Sequence, residues 1–168
     1  MRRQLGVIAL AVLTAAAATA TAYAHHIASS TQRFTFSGET IRGKDLPITV
    51  TAVGPISGHG TAQLIEHPKT TAGTFHFPHG NVQVRFVHGP IQAHPNLATC
   101  RATIDARGTY TIYGGTGPYA AATGKGTYTE KRVLVGQRSP AGKCLNGQNS
   151  TPQSVTATAT MIGTINLH

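Results

Sequence analysis

The sequence predicts an all-β protein. Short segments rich in Thr, Val, Ile, Phe and Tyr recur between clusters of Gly, Pro and Asn, and several of them alternate apolar with polar residues. No stretch after residue 24 keeps a helical period. Such a chain folds as a β-sandwich or as an up-and-down barrel, and strand periodicity alone does not separate the two.

The first element is a signal peptide over residues 1–24. Arg2 and Arg3 precede an apolar run, and Ala22 and Ala24 supply the small residues of a cleavage site. The alternative, a membrane anchor, is disfavoured because the run is short and weakly hydrophobic. We therefore expect a secreted, extracellular protein with one domain over residues 25–168 and no integral membrane segment in the mature chain.

The first half of the domain holds five predicted strands, at residues 32–36, 48–53, 58–66, 73–77 and 81–88. In the fifth, Val82, Val84 and Phe86 fall on one face, and Gln83 and Arg85 on the other. This alternation is typical of a strand with one buried face.

The second half adds predicted strands at residues 99–106, 109–113, 126–135 and 154–167. In the last of these, small or apolar residues alternate with threonines, which suits a curved closing strand. Residues 138–152, rich in Pro, Gly and Asn, are predicted to form a long loop before it.

Cys100 and Cys144 are the only cysteines of the chain. In an oxidising compartment an even pair predicts one disulfide, and a reactive thiol is the less favoured alternative. The bond would tie the loop at 138–152 to the start of the strand at 99–106.

The chain is basic, with a formal net charge of +9. Without Arg2 and Arg3, 12 basic side chains face 5 acidic ones, which leaves +7. Because the basic residues are dispersed and accompany no nucleic-acid module, we expect a solvated surface and no specific nucleic-acid partner. An anionic cell-surface polymer is the alternative partner. Nothing in the sequence fixes the oligomeric state.

A glycine-rich corner stands between the strands at 109–113 and 126–135. It contains Gly114, Gly115 and Gly117, and Gly124 begins the next strand. With Ile112 before it and Tyr119 after it, the segment resembles the allene oxide cyclase and dirigent superfamily, and in particular its small exported bacterial members. Glycines at such a corner allow positive φ and close backbone approach, so we expect a structural role for them.

The resemblance implies a single antiparallel, eight-stranded, calycin-like β-barrel with an apolar central cavity. In plant relatives it implies cyclisation of an unstable fatty-acid epoxide or guidance of coupling phenoxy radicals. We accordingly expect a protein that binds a small apolar or phenolic ligand inside the barrel. The alternatives are a cyclase- or isomerase-like enzyme, which requires a cavity with a polar group such as Glu66 or Asp105, and a basic cell-surface interaction protein.

Candidate site residues are few. Tyr110 is predicted to point into the barrel, where it would contact the ligand. His76, His79, His88 and His94 cluster in sequence, but their spacing is not that of a metal site, so we predict neither metal nor cofactor. No catalytic residue can be assigned from the sequence.

Overall fold

The computed structural model describes residues 30–145 and 151–167. These residues form nine β-strands and one short 3-10 helix, with no α-helix among them. The elements, in chain order, are β1 (Ser30–Ile41), β2 (Lys44–Asp45), β3 (Ile48–Val53), β4 (Gly58–Glu66), β5 (Thr70–Phe77), β6 (Gly80–Asn96), β7 (Arg101–Gly115), the 3-10 helix Gly117–Tyr119, β8 (Thr123–Val135) and β9 (Ser154–Asn166).

The strands close into an antiparallel barrel. Each long strand pairs with the next along the chain, and β9 pairs with β1, with Ser30 opposite Ile165 and Ile41 opposite Ser154. The two-residue β2 only extends the turn after β1. The barrel therefore has eight strands, β1 and β3 to β9, which confirms the predicted fold class. The predicted signal peptide at residues 1–24 lies outside the described residues.

Five strands, β1 and β5 to β8, are longer than the sequence predicted, and β6 and β7 differ most. The segments 99–106 and 109–113 form the single strand β7, because Arg107 and Gly108 keep the ladder by pairing with Thr129 and Tyr128. Strand β6 continues past His88 to Asn96 despite its two prolines, after a register shift between His88 and Ile91. Beyond His88 this strand pairs with β7 alone. The two strands therefore extend past the first residue of β5 as a two-stranded wall.

The core lies inside the barrel and follows the alternation of the strands. Every second residue of each long strand faces inward, and phenylalanines dominate, with Phe75 at 5.4 Å from Phe34 and 4.9 Å from Phe36 between ring centroids. The fully buried side chains include Tyr110, Phe34, Phe75, Ile56, Ile112, Met161, Ile165, Gln32, Val50, Val82 and Val84.

One end of the barrel is plugged. Ile56, in the β3–β4 connection, is fully buried there, and the Gln32 side chain binds it through both backbone groups: Ile56 N donates to Gln32 Oε1 (2.9 Å), and Gln32 Nε2 donates to Ile56 O (3.0 Å). Tyr119, from the 3-10 helix, packs edge-on against Phe77 at the same end. Ile56 and Tyr119, both buried, thus close this end of the barrel.

Cys100 and Cys144 form a disulfide, as predicted, with their Cα atoms 5.4 Å apart. The bond fastens the loop after β8 to the turn between β6 and β7. Arg138 reinforces it, because its guanidinium donates to the backbone oxygen of Ala98 (2.7 Å) and to that of Gly142 (2.8 Å).

Candidate functional site

The other end of the barrel is open and contains a cavity of about 90 Å³. We call this end the mouth. Its wall is mainly apolar, with Phe36, Ile48, Phe86, Ala157 and Ala159 contributing carbon surface. The cavity exists because the inward positions here carry small residues, such as the two alanines, where the closed end carries large ones.

Charged side chains stand at the rim of this cavity. Arg132, on β8, donates through Nε to Glu130 of the same strand and through Nη2 to Glu66 at the end of β4 (3.3 Å). The side chain of Glu130 is only 15% exposed, whereas that of Glu66 is 60% exposed. The hydrogen bond to Glu130 raises the pKa of Arg132 above its usual value, so the guanidinium stays charged. One cation thus bridges two carboxylates on different strands.

A second polar group lines the cavity beside them. His88 on β6 contacts Tyr128 Oη through Nδ1 (2.8 Å) and Thr71 Oγ1 through Nε2 (3.0 Å). A neutral imidazole satisfies this pair by accepting from the phenol and donating to the threonine. Burial raises the pKa of Tyr128, and the nearby charge of Glu130 adds to this effect. The phenol therefore remains protonated and serves as a hydrogen-bond donor.

An open cleft of about 410 Å³ adjoins the cavity and shares its charged residues. The wall formed by β6 and β7 supplies its apolar side, through Ile91, Ile104 and Ala106. Ile91 is 63% exposed, although it faces the same side of the sheet as the barrel interior. A molecule held in the mouth would therefore extend along this wall.

Tyr110 was predicted to point into the barrel, and its side chain is fully buried there. It lies below the cavity and is absent from the residues that line it. A ligand contact by Tyr110 therefore stays a prediction. Burial raises the pKa of Tyr110 to about 12, and its hydroxyl has no hydrogen-bond partner among the described residues.

The glycine corner lies at the closed end, away from the mouth. Gly114 and Gly115 end β7, Gly117 begins the 3-10 helix with φ of 59°, and Gly124 lies in β8. That left-handed conformation at Gly117 disfavours any residue with a Cβ. The corner positions Tyr119 as part of the plug and contributes nothing to the cavity wall.

Sequence reasoning did not single out Glu130, Arg132, His88 and Tyr128 as a group. A signal existed in the predicted strand at 126–135. Its inward face carries Tyr128, Glu130 and Arg132, at every second position. Polar residues at inward positions indicate either a paired group or a solvent-filled cavity. What the sequence could not supply was the register that brings Glu66 of β4 to the same rim.

Other predicted candidates lie apart from the mouth. Asp105 points outward, near His94 (3.9 Å between Oδ2 and Nε2). Within residues 30–145 and 151–167, no three His, Cys, Asp or Glu side chains converge to hold a metal ion. The same part of the chain contains no helix that is long and apolar enough to cross a membrane. Basic side chains are dispersed over the outer face, so binding of an anionic polymer stays a prediction.

No family model, curated protein or solved structure matches this chain. The chemistry of the site therefore follows from its own geometry. That geometry combines an apolar pocket, a protonated phenol held by an imidazole, and a guanidinium shared by two carboxylates. Such a pocket can hold a small organic molecule and present hydrogen-bonding groups to one end of it.

Proposed function

We propose that this protein binds a small apolar or phenolic molecule in the mouth of its barrel. The observation that supports the proposal is the cavity between Phe36, Ile48, Phe86 and Tyr128, which is apolar inside and polar at its rim. Binding sites for small molecules commonly combine an apolar lining with a few convergent polar groups. The resemblance of the glycine corner to allene oxide cyclase and dirigent barrels favours the same function.

The shape of the site restricts the ligand. A cavity of about 90 Å³ holds one ring or a short chain, and the adjoining cleft takes the remainder. A phenolic hydroxyl that approaches the rim would meet Glu66, whose carboxylate is exposed enough to accept a hydrogen bond. The apolar body would contact Phe36 and Phe86, which already form part of the pocket wall.

Native mass spectrometry of the protein, purified from its own secretion medium, tests this proposal directly. A co-purifying molecule of defined mass is the expected result. Ala159→Leu should remove it by filling the pocket, whereas Thr156→Leu, on the outer face of the same strand, should retain it. Equal retention by both variants would place the molecule elsewhere and defeat the proposal.

The enzyme alternative is favoured by one observation, the presence of Glu66 and Glu130 at the cavity. A cyclase or isomerase that confines a reactive substrate needs such a group to move a proton or stabilise charge, and Arg132 could stabilise a developing negative charge. The test is the stereochemical composition of the cyclised product from an unstable fatty-acid epoxide. Identical product mixtures with the protein, with Glu66→Gln and Glu130→Gln variants and with buffer alone would exclude this activity.

A further inference from the structure

We infer that the mouth selects a positively charged ligand, namely a compact organic amine with an apolar body. This inference rests on the proposed function, because it specifies the polar group at one end of the apolar or phenolic molecule that the same cavity would hold. It is carried by two independent features of the mouth: its net charge and its aromatic wall.

The charge of the mouth is opposite in sign to that of the whole protein. Two of the chain's five acidic side chains, Glu66 and Glu130, lie there. Arg132 is the one Lys or Arg among the described residues that line the cavity and the cleft, and it is shared between both carboxylates. One cation neutralises one carboxylate, so the mouth keeps a net negative charge with its histidines neutral. The chain as a whole carries +9.

The aromatic wall suits the same ligand. Phe36, Phe86 and Tyr128 line the cavity, and Phe86 and Tyr128 stand edge to face with ring centroids 5.3 Å apart. An ammonium group is attracted to the negative face of an aromatic ring, most strongly where water is excluded. The Tyr128 hydroxyl is already bound to His88, so the ring itself is what this residue offers to a ligand.

Other charge classes fit less well. A carboxylate ligand would meet two carboxylates, while the guanidinium that might attract it is already occupied by both. An alcohol of the same shape would gain the apolar contacts but no ion pairing. The exposed carboxylate of Glu66 is the group most able to turn toward an incoming ammonium, since Glu130 is held by the Nε of Arg132.

Three probes of matched shape test the inference: phenethylamine, 2-phenylethanol and phenylacetate. Their affinities for the full chain are measured by isothermal titration calorimetry at neutral pH and physiological salt, where exposed charges beyond about 8 Å are screened. We expect the amine to bind about tenfold more tightly than the alcohol, which corresponds to about 1.4 kcal/mol from the ion pair with Glu66 and the contact with the aromatic wall together. Phenylacetate should bind most weakly.

A variant pair assigns the effect to the mouth. Glu66→Gln should reduce the affinity for phenethylamine several-fold and leave the affinity for 2-phenylethanol unchanged. Glu39→Gln, on the exposed outer face of β1, is the matched control and should change neither. If Glu66→Gln does not fold, a salt titration of the unmodified protein replaces it, because added salt should weaken binding of the amine alone.

The outcomes separate this inference from the proposed function. Equal affinities for amine and alcohol would overturn charge selection and leave the ligand-binding cavity standing. Tightest binding of phenylacetate would also overturn charge selection, because it would show that the positive charge of Arg132 determines which ligand binds. If none of the three probes binds, both the inference and the proposed function are overturned for ligands of this size.

Discussion

Tyr110 and Tyr128 lie on neighbouring strands in a reciprocal arrangement, each directly opposite a glycine of the other strand. Tyr110 of β7 pairs with Gly126 of β8, and Tyr128 of β8 pairs with Gly108 of β7. A Cβ on Gly126 would lie 2.7 Å from the ring of Tyr110, and one on Gly108 would lie 2.6 Å from the ring of Tyr128. Each ring therefore covers the glycine that faces it, and the barrel core is packed across these two pairs.

Replacing tyrosine by phenylalanine should change the free energy of unfolding in opposite directions at these two positions. Tyr110→Phe removes a buried hydroxyl that lacks a partner among the described residues, so it should raise the free energy of unfolding by about 1 kcal/mol. Tyr128→Phe leaves Nδ1 of His88 without its partner, so it should lower the free energy of unfolding by about 1 kcal/mol. Urea denaturation of both variants measures the two values. A loss of stability in Tyr110→Phe would mean that its hydroxyl is satisfied after all.

Stability should fall steeply in strong alkali. The pKa of Tyr110 is raised to about 12 in the folded state, from 10.0 for the free side chain, because the phenol is buried. Between these values the unfolded chain has lost the proton that the folded chain retains, so stability decreases as pH rises. The total loss is roughly 3 kcal/mol. Tyr110→Phe should make the fall in unfolding free energy between pH 10 and 12 much shallower, and the remaining slope is what Tyr128, whose pKa is also raised by burial, contributes.

Gly126→Ala should be strongly destabilising. The added Cβ would lie 2.6 Å from the Cα of Gly163 and 2.7 Å from the ring of Tyr110, in a core with no space to receive it. We expect the free energy of unfolding to fall by about 3 kcal/mol, which is at the upper end of the usual effect of overpacking. Gly136→Ala is the control, since its Cβ would come no closer than 3.4 Å to Cys100 O. Similar melting temperatures for the two variants would contradict the packing described for this pair.

Loss of the disulfide should weaken the whole barrel. Cys100 and Cys144 close a loop with a sequence separation of 44, for which chain entropy predicts a contribution of about 4 kcal/mol. The double variant Cys100→Ser/Cys144→Ser should show this decrease in guanidinium denaturation, and so should the unmodified protein under reductant. If reductant has no effect on the unmodified protein, the bond does not restrain its unfolded state.

The Gln32 side chain should be needed to hold the plug. Gln32→Met preserves its length but leaves the backbone N–H and C=O of Ile56 without these partners inside the closed end. We expect the free energy of unfolding to fall by about 2 kcal/mol or more, because these two buried backbone groups lose their hydrogen bonds. Gln137→Met removes one exposed hydrogen bond, to Thr151 O, and should cost little. Equal thermal shifts for the two would show that the plug does not depend on this amide.

Much of the fold was predictable because alternation is a local property. Val82, Val84 and Phe86 lie inside the barrel as their spacing predicts, and the closing strand at 154–167 corresponds to β9. The length of β6 was not predictable, because Pro90 and Pro95 are ordinarily signals that end a strand. They are tolerated here because β6 has no partner on its other side beyond His88.

The site was less predictable than the fold. Glu66 was named from the sequence, together with Asp105, as the kind of polar group that an enzymatic cavity would require, and its neighbour Arg132 lies 66 positions further along the chain. Which strands of a barrel meet across its rim depends on the register of every pair between them, and that register is not written in any single segment. The glycine corner identified an end of the barrel, but it was the end opposite to the cavity.

The pairing of β1 with β9 has a consequence for the order in which this protein can fold. Every residue of the twelve-residue strand β1 is paired with β9, the last of the described strands, while β3 covers only the part from Arg33 to Ser37. A chain that emerges from the ribosome therefore presents its first strand long before that strand's principal partner exists. Barrel closure becomes the latest and least local event of folding, because β1 lacks its principal partner until β9 has been synthesised.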